Sequence, residues 1–453
     1  MRKIKQITFL SLLFIVTVAF NFQHNPPSNW YQQFLSISGS QQINDITFID
    51  SLTGFIITSR NLNPDTATIF KTTNGGDNWS VVYNQSNRRL SRIKFINSNT
   101  GFASGGTGTG TAHLYKTTNA GLNWLVQSTF GCSYWNDMSV LNEDTIWLVD
   151  QTSLCGGVFR TTNGGLNWAQ QFSAGSNNPD KICMLNARTG LASQSNLFTG
   201  KLYRTTNSGV NWSLILNEGF YEMEFADSLT GWGAAGNKDT TLRKTTDGGL
   251  TWIMQRLPIS GFVQNNITTE ISIINKDTLW ICGGWVRYPN NQYRGILYRT
   301  TNSGQNWMYQ IPDTNINIAS YDFINFAGSQ HGWVYANYSP PRGIHTTNGG
   351  DTTWLTSVKQ ISSNIPEDFK LNQNYPNPFN PVTIINYELK ITNYVTLKVY
   401  DLNGKEITTL HSGKQSAGSY SVEFNASNFS TGIYFYSIQT ESFKETKKMI
   451  LLK

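Results

Sequence analysis

Lys71-Thr72-Thr73-Asn74-Gly75-Gly76-Asp77-Asn78-Trp79 decides the fold, because the chain writes this phrase seven times. The other copies are KTTNAGLNW ending at Trp124, RTTNGGLNW at Trp168, RTTNSGVNW at Trp212, KTTDGGLTW at Trp252, RTTNSGQNW at Trp307 and HTTNGGDTTW at Trp354. Successive tryptophans stand 45, 44, 44, 40, 55 and 47 residues apart. A period of that size marks an array of one supersecondary unit that cannot bury its apolar face alone. Each copy has the chemistry of a hairpin tip. Asn74, like Asn119, Asn163, Asn207, Asp247, Asn302 and Asn348 in the other copies, can fold its side-chain oxygen onto the next backbone N–H groups. The glycines that follow supply the positive φ of a tight turn. The closing tryptophan opens the next strand, and its ring is large enough to lock the turn against a neighbouring sheet.

A second phrase precedes each copy: DITFIDSLTGFIITS from Asp45, RIKFINSNTGFASGG from Arg92, and equivalents starting at Asp137, Lys181, Glu222, Glu270 and Phe323. Each reads as two short alternating strands about a polar turn, so one repeat carries four antiparallel strands. Seven such units predict an all-β, seven-bladed β-propeller over residues 28–360, closed radially so that no long sheet edge stays free. The tryptophan-ended phrase resembles the Asp-box (BNR-like repeat) of sialidases and related propellers, here mostly with Asn for Asp. That motif is a structural turn, so it implies a fold and not a reaction. Closure is ambiguous: Asn29-Trp30-Tyr31-Gln32-Gln33-Phe34 reads like an outermost strand, yet the segment from Trp354 to Val358 does too. Either the first adds a fifth strand to blade seven, or the second is displaced toward the linker.

Blade order fixes which loops share a face. The two hairpin turns of each blade lie on one face; loops joining hairpins and blades lie on the other. That second face gathers Trp285, Arg287, Tyr288, Tyr293 and Arg294 in blade six, Tyr338 and Arg342 in blade seven, and Tyr134 and Trp135 before blade three. Aromatic and arginine side chains suit recognition of a glycan or peptide. The inner strands place Asp45, Arg92, Asp137, Lys181, Glu222 and Glu270 around the channel mouth on the same face. Opposite charges there can simply satisfy one another. Cys132 and Cys155 fall in two loops of that face in blade three, which predicts a disulfide in an exported protein. Cys183 and Cys282 lie within strands and read as small buried hydrophobes.

Arg2, Lys3 and Lys5 followed by the apolar run Ile7–Ala19 predict a signal peptide over residues 1–19, with no transmembrane helix in the mature chain. Charged residues are only 14% and aromatics reach 13%, the profile of a turn-rich extracellular β protein. The net charge of +6 divides into +3 from the leader, +2 over residues 24–365 (22 basic, 20 acidic) and +1 after that (9 Lys, 8 acids). No basic patch results, which argues against nucleic acid as a partner.

Signs of chemistry are sparse. A sialidase needs an arginine triad with one member in an Arg-Ile-Pro motif ahead of the first Asp-box, but no arginine lies between Arg2 and Arg60. Five scattered histidines give no metal-ligand spacing, and no cofactor motif is present. Glu222 and Glu224 do share one side of a strand, as a general acid and base might. Residues 28–360 are similar to the single propellers of photosystem II assembly-factor-like proteins, on the TTNGGxNW and TGW/TGF phrases. The resemblance implies a non-catalytic binder of an extracellular protein or glycan; the alternative is a surface glycosidase on the same scaffold.

After Gln360 the composition shifts through a linker, 361–369, into six alternating strands that describe a small Ig-like β-sandwich. NYPNPFNP (374–381), LKVYDLNGKEI (397–407), AGSYSVEF (417–424) and TGIYFYSI (431–438) resemble the type A C-terminal sorting domain of type IX secretion cargo, over 366–453. The resemblance implies the type IX machinery as a partner, with the product secreted or attached to the cell surface.

Overall fold

The computed structural model describes residues 29–35, 41–60, 65–107, 110–131, 135–152, 156–195, 200–235, 242–258, 263–265, 267–287, 293–312, 316, 318–337, 342–350, 359–362, 364–426 and 429–452. The expected signal peptide, Tyr134, Tyr288, Tyr338, Cys132, Cys155 and Trp354 lie outside these residues. Among the described residues the structure is all-β, with one 3-10 turn at Gly175–Asn177 and no α-helix. No described helix is long and apolar enough to cross a membrane.

Each repeat folds as one antiparallel sheet whose strands lie in chain order. Sheet 1, for example, comprises Gln41–Phe48, Gly54–Arg60, Thr66–Thr72 and Ser80–Ser86. The first strands of sheets 2 to 7 are Arg89–Phe95, Asp137–Val140, Lys181–Met184, Glu222–Phe225, Glu270–Ile273 and Phe323–Ala327. Each touches the first strand of the next sheet, and the seventh returns to the first, closing a circuit. Sheet 6 is the longest: Leu279–Arg287 and Tyr293–Thr300 run past their equivalents, and Val263–Asn265 pairs with their projecting end.

Burial follows position in the sheet. Second strands such as Gly101–Thr107 and Ile146–Asp150 are wholly buried, whereas the outer strand Ser80–Ser86 has no fully buried residue. Aromatic cores fill the wedges between sheets. Trp124 of sheet 2 meets Phe55 of sheet 1 and Phe95 of its own sheet edge-on, at 6.4 and 5.9 Å. A Cβ on Gly121 would stand 2.3 Å from the Phe55 ring, and this glycine also has φ +73°, so the turn can approach only without a side chain.

The repeated turns are built alike. Thr72 Oγ1 donates to Asn74 Oδ1 at 2.9 Å and accepts from Gly76 N at 2.9 Å, while Asn78 N donates to Asn74 Oδ1 at 3.0 Å. The same bonds recur around Asn119, Asn163, Asn207, Asp247 and Asn302. The first threonine is thus as necessary as the asparagine, a role the sequence reading passed over. The Lys or Arg opening each phrase also has a reason. In five of the six phrases that open with Lys or Arg it pairs across the sheet with an aromatic residue of the second strand and lies over its ring: Lys71 on Phe55, Lys116 on Phe102, Arg160 on Trp147, Lys244 on Trp232 and Arg299 on Trp280, at 5.0 to 5.7 Å. In the sixth, Arg204 stands opposite Leu191.

Closure resolves the ambiguity of the two candidate strands. Tyr31–Phe34 pairs with Arg342–Thr346 as the fourth strand of sheet 7, not as a fifth. Trp30 is fully buried against Trp280 and Phe326, with its Nε1 donating to Gln310 Oε1 at 3.0 Å. Gln33 then bolts the seam to sheet 1, donating to Gly75 O at 2.9 Å and accepting from Tyr335 OH at 2.8 Å. The segment 351–358 lies outside the described residues, and Lys359–Ser362 already belongs to the C-terminal unit. Part of the expected linker is therefore a strand.

That unit is two four-stranded sheets sharing one core. One runs Lys359–Ser362, Gly418–Asn425, Val382–Leu389, Lys370–Leu371; the other runs Glu406–Gln415, Asn393–Tyr400, Gly432–Gln439, Lys444–Leu451. Inward positions such as Ile385, Leu397, Val422 and Tyr436 are fully buried, as the strict alternation of these strands requires.

Candidate functional site: the channel mouth

The closed circuit of first strands leaves a channel, and one residue of each strand points into its mouth at equivalent height. Six of them form an ionic collar. Arg92 lies across the opening with Nε 2.9 Å from Asp137 Oδ1, Nη2 2.7 Å from Glu222 Oε2 and Nη1 3.8 Å from Asp45 Oδ1. Lys181 Nζ approaches the same Glu222 oxygen at 3.6 Å. Glu270 completes the group beside Ile267 and Phe323 on the wall of an open depression of about 500 Å³.

The collar also holds the sheets together. Asp45 Oδ2 accepts from Ile93 N of sheet 2 at 2.8 Å, and Asp137 Oδ2 accepts from Ile182 N of sheet 4 at 3.0 Å. One layer deeper, Ser139 accepts from Met184 N, Glu224 from Ile273 N, Ser272 from Phe326 N and Asn325 from Phe48 N, at 2.9 to 3.1 Å. In each case a side chain of one first strand satisfies a backbone N–H of the next, which answers the edge that every sheet presents at the channel.

Electrostatics separates the carboxyl groups. Burial works against the charge of Arg92, but Glu222, Asp137 and Asp45 outweigh it and hold the guanidinium ionised. Burial likewise opposes ionisation of Glu222, yet Arg92, Lys181 and Lys94 overcome it and keep this carboxyl below its ordinary value. Among the described residues Glu270 has no cation within ion-pair reach; burial, then Asp45 and Glu222, push it well up. Burial also raises Asp45, against the pull of Arg92. Deeper in the lumen burial lifts Glu224 to about 7, against the charge of Lys94.

The other expected binding residues that the structure describes differ in exposure, and some are buried. Trp135 is buried, packed on Phe130, Phe159 and Trp168 between sheets 2 and 3, because so large a ring gains more from the interior than from the surface. Arg294 is buried too, its Nη1 donating to Tyr293 O at 2.8 Å. Trp285 is half-buried within sheet 6, and half-buried Arg342 opens the third strand of sheet 7 opposite Phe34. Arg287 and Tyr293 remain on the surface, stacked with the guanidinium 5.8 Å from the ring centroid. Cys282 is buried, whereas Cys183 is only partly so, sharing the channel side of its strand with Lys181 and feeling the charges of Lys94, Glu222 and Asp137. Tyr221 and Ile267, which line the depression, were missed; each stands one to three residues before a collar position. Among the described residues no group of His, Cys, Asp and Glu is arranged to hold a metal.

Residues 373–452 match the secretion system C-terminal sorting domain. The sorting domain's first motif has a structural role here: the Asn374 side-chain amide donates to Thr383 Oγ1 at 2.9 Å and to Pro376 O at 3.1 Å, and its backbone N–H donates to the Tyr436 hydroxyl oxygen at 2.8 Å. The match marks the chain as secreted or surface-attached. Ahead of the sorting domain the chain is a β-propeller. The structure of YCF48 bound to D1 peptide aligns over 71% of this chain and 97% of its own, at 16% identity and a TM-score of 0.51. A GH74 xyloglucanase from Xanthomonas campestris aligns over 79% of this chain and 59% of its own, at 11% identity and TM-score 0.49. At 16% identity the likeness to the YCF48 structure speaks to fold alone. No curated protein matches the sequence.

Proposed function

We propose that the chain is an exported, seven-bladed Asp-box propeller that binds an extracellular protein or glycan at the channel mouth and does not turn it over. In this reading residues 1–19 are a signal peptide, 28–360 the propeller, and the C-terminal Ig-like sandwich a type IX sorting domain that hands the protein to that machinery. The observation that carries the reading is the open depression of about 500 Å³ at the collar. Its polar groups are fixed by ion pairs and inter-sheet hydrogen bonds, and Tyr221, Ile267 and Phe323 supply apolar surface beside them. A concave, pre-formed site of mixed character suits recognition. A peptide is the first class to try, since YCF48 was solved with one.

One observation favours the hydrolase alternative: Glu222 and Glu224 are two residues apart with carboxyl groups displaced in opposite directions, Glu224 reaching about 7. Against it, Arg92 leaves Glu222 no proton to give, and a Glu224 oxygen is engaged by Ile273 N at 3.1 Å. Peptide and glycan arrays probed with the full chain, together with glycosidase assays, separate the two. Array binding weakened by Tyr221→Ala without turnover supports the binder; hydrolysis abolished by Glu224→Gln overturns it.

A further inference from the structure

The face opposite the mouth carries an arrangement that mouth binding does not use. It is formed by the seven repeated turns and by the loops joining first and second strands. At the tip of these turns, between the second glycine and the residue before tryptophan, stand Leu122, Leu166, Val210 and Leu250 on sheets 2, 3, 4 and 5. They are 60%, 74%, 65% and 53% exposed. The equivalent residues of sheets 1 and 6 are Asp77 and Gln305. The arc is therefore apolar over four consecutive sheets and polar at both ends. Leu52 and Leu229 in the first-to-second-strand loops extend it, at 58% and 56% exposure. Among the described residues from 29 to 350, every exposed large apolar side chain except Phe34 and Tyr293 lies on this face or on the first two residues of an outer strand leaving it.

No folding reason asks for these side chains. The turn is made by the threonine, the asparagine and the glycine backbone, and the tip residue contributes only its N–H, as Leu166 N does to Asn163 O at 3.4 Å. Asp77 serves equally well at that position in sheet 1, with Asp77 N to Asn74 O also at 3.4 Å. Large apolar groups clustered on a rim where polar ones fit mark an interaction surface.

Charge says what it meets. The same turns and loops expose Asp50, Asp77, Asp144, Asp227 and Asp277, with Asp247 half-exposed. Among the described residues the exposed cations there are Arg188 and Lys276, and Lys276 already acts on Asp227. The lysines and arginines that open the turns lie lower, buried or half-buried, with Lys71 on Ala120 O, Lys244 on Ser303 O, Arg204 on Gly248 O and Lys116 paired to Glu143. An apolar arc in an acidic border fits an apolar ridge bordered by basic residues. We propose that this turn face is a second docking surface, taking a protein partner that presents apolar side chains flanked by lysines and arginines.

The test uses the full chain and two labelled amphipathic helical peptides, one of leucine and lysine and one of leucine and glutamate, followed by fluorescence anisotropy. The lysine peptide is expected to bind at least about tenfold tighter than its acidic twin and to weaken with salt. Leu122→Ser, Leu166→Ser, Val210→Ser and Leu250→Ser together should weaken it about tenfold or more, with the thermal unfolding profile unchanged. Should the fourfold variant misfold, Asp77→Lys with Asp277→Lys leaves the arc intact and should lower the preference for the lysine peptide. Equal binding of the two peptides, or no effect of either variant set, overturns the proposal. So does sedimentation showing a dimer abolished by the serine variant, which assigns the arc to a second copy. Variant-sensitive binding to neutral phosphatidylcholine vesicles overturns it as well, by assigning the arc to lipid.

Discussion

Replacing Arg92 by leucine tests the collar as a structural device. The guanidinium is the cation nearest Asp137 and lies 2.7 Å from Glu222, and its side chain is only 10% exposed. Leucine fills part of the volume but leaves three carboxylates facing one another across the mouth. Removing one partner of a buried ionic cluster costs about 3–5 kcal/mol, since the remaining charges stay desolvated. Glu222 is 19% exposed at the side chain, so relief by solvent places the expected loss near the lower end, about 3 kcal/mol. Denaturant unfolding followed by tryptophan fluorescence at pH 7 reads it directly. The pH dependence discriminates further. In the parent Glu222 is held below its ordinary value, so its pairing contributes stability above about pH 4.5, lost as pH falls through the lower folded value. In Arg92→Leu the orphaned carboxyls take up protons at higher pH, so the deficit against the parent must shrink between pH 7 and pH 4. Adding Glu222→Leu should recover part of the loss, because one uncompensated charge goes with it. A deficit below about 1 kcal/mol, or one that does not change with pH, refutes the view that Arg92 ties the mouth together.

The closing seam is expected to be sensitive to acid. His345, stacked on Trp333 at 4.7 Å, is pushed down to about 4 by burial and by His331, so it folds neutral. Its depressed value means stability is full above the ordinary histidine value and falls by about 3 kcal/mol as pH drops from about 6.5 to about 4. His345→Phe, which keeps the ring, should flatten that part of the stability–pH curve. Trp30→Ala removes a fully buried ring and a buried hydrogen bond from the same seam, and should cost about 3–5 kcal/mol in chemical denaturation. Neighbouring positions of one turn should respond oppositely. Gly121→Ala forces a Cβ against Phe55 at positive φ and should cost more than about 2 kcal/mol, whereas Ala120→Gly relieves a φ of 55° and should leave the melting temperature unchanged or slightly raised.

Much of this was legible in the chain, for definite reasons. The four-strand repeat shows because every hairpin tip obeys the same local rule: an Asx oxygen that caps the turn and glycines that open it. Collar positions show because strand alternation, counted from a repeated phrase, puts Asp45, Arg92 and their equivalents at one height whatever the side chain. The stacking of the opening Lys or Arg did not show, because it depends on the cross-sheet register, as in Phe55 opposite Lys71. Trp135 was misplaced for a related reason: a loop aromatic looks like surface until the wedge between two sheets is known to need filling. Strand pairing at the seam was undecided because Trp30 and Trp354 carry equally good local signals, and the packing of Trp30 against Trp280 and Phe326 depends on which sheets become neighbours.

The collar also narrows where recognition can reside. Asp45, Asp137 and Glu224 spend their oxygens on backbone groups of the next sheet, and Arg92 spends its guanidinium on three acids. A ligand competing for these groups would have to loosen the ring that presents them, at the several-kilocalorie cost argued above. Glu270 is different: it lines the depression, and burial first, then Asp45 and Glu222, raise its pKa against the pull of Arg92 and Lys94. Contact there, or on Tyr221, Ile267 and Phe323, leaves the inter-sheet bonds intact. The mouth can therefore vary its ligand at the lip while its ionic floor stays fixed. Substitutions at Tyr221 should change binding without changing stability, and substitutions at Arg92 should do the reverse.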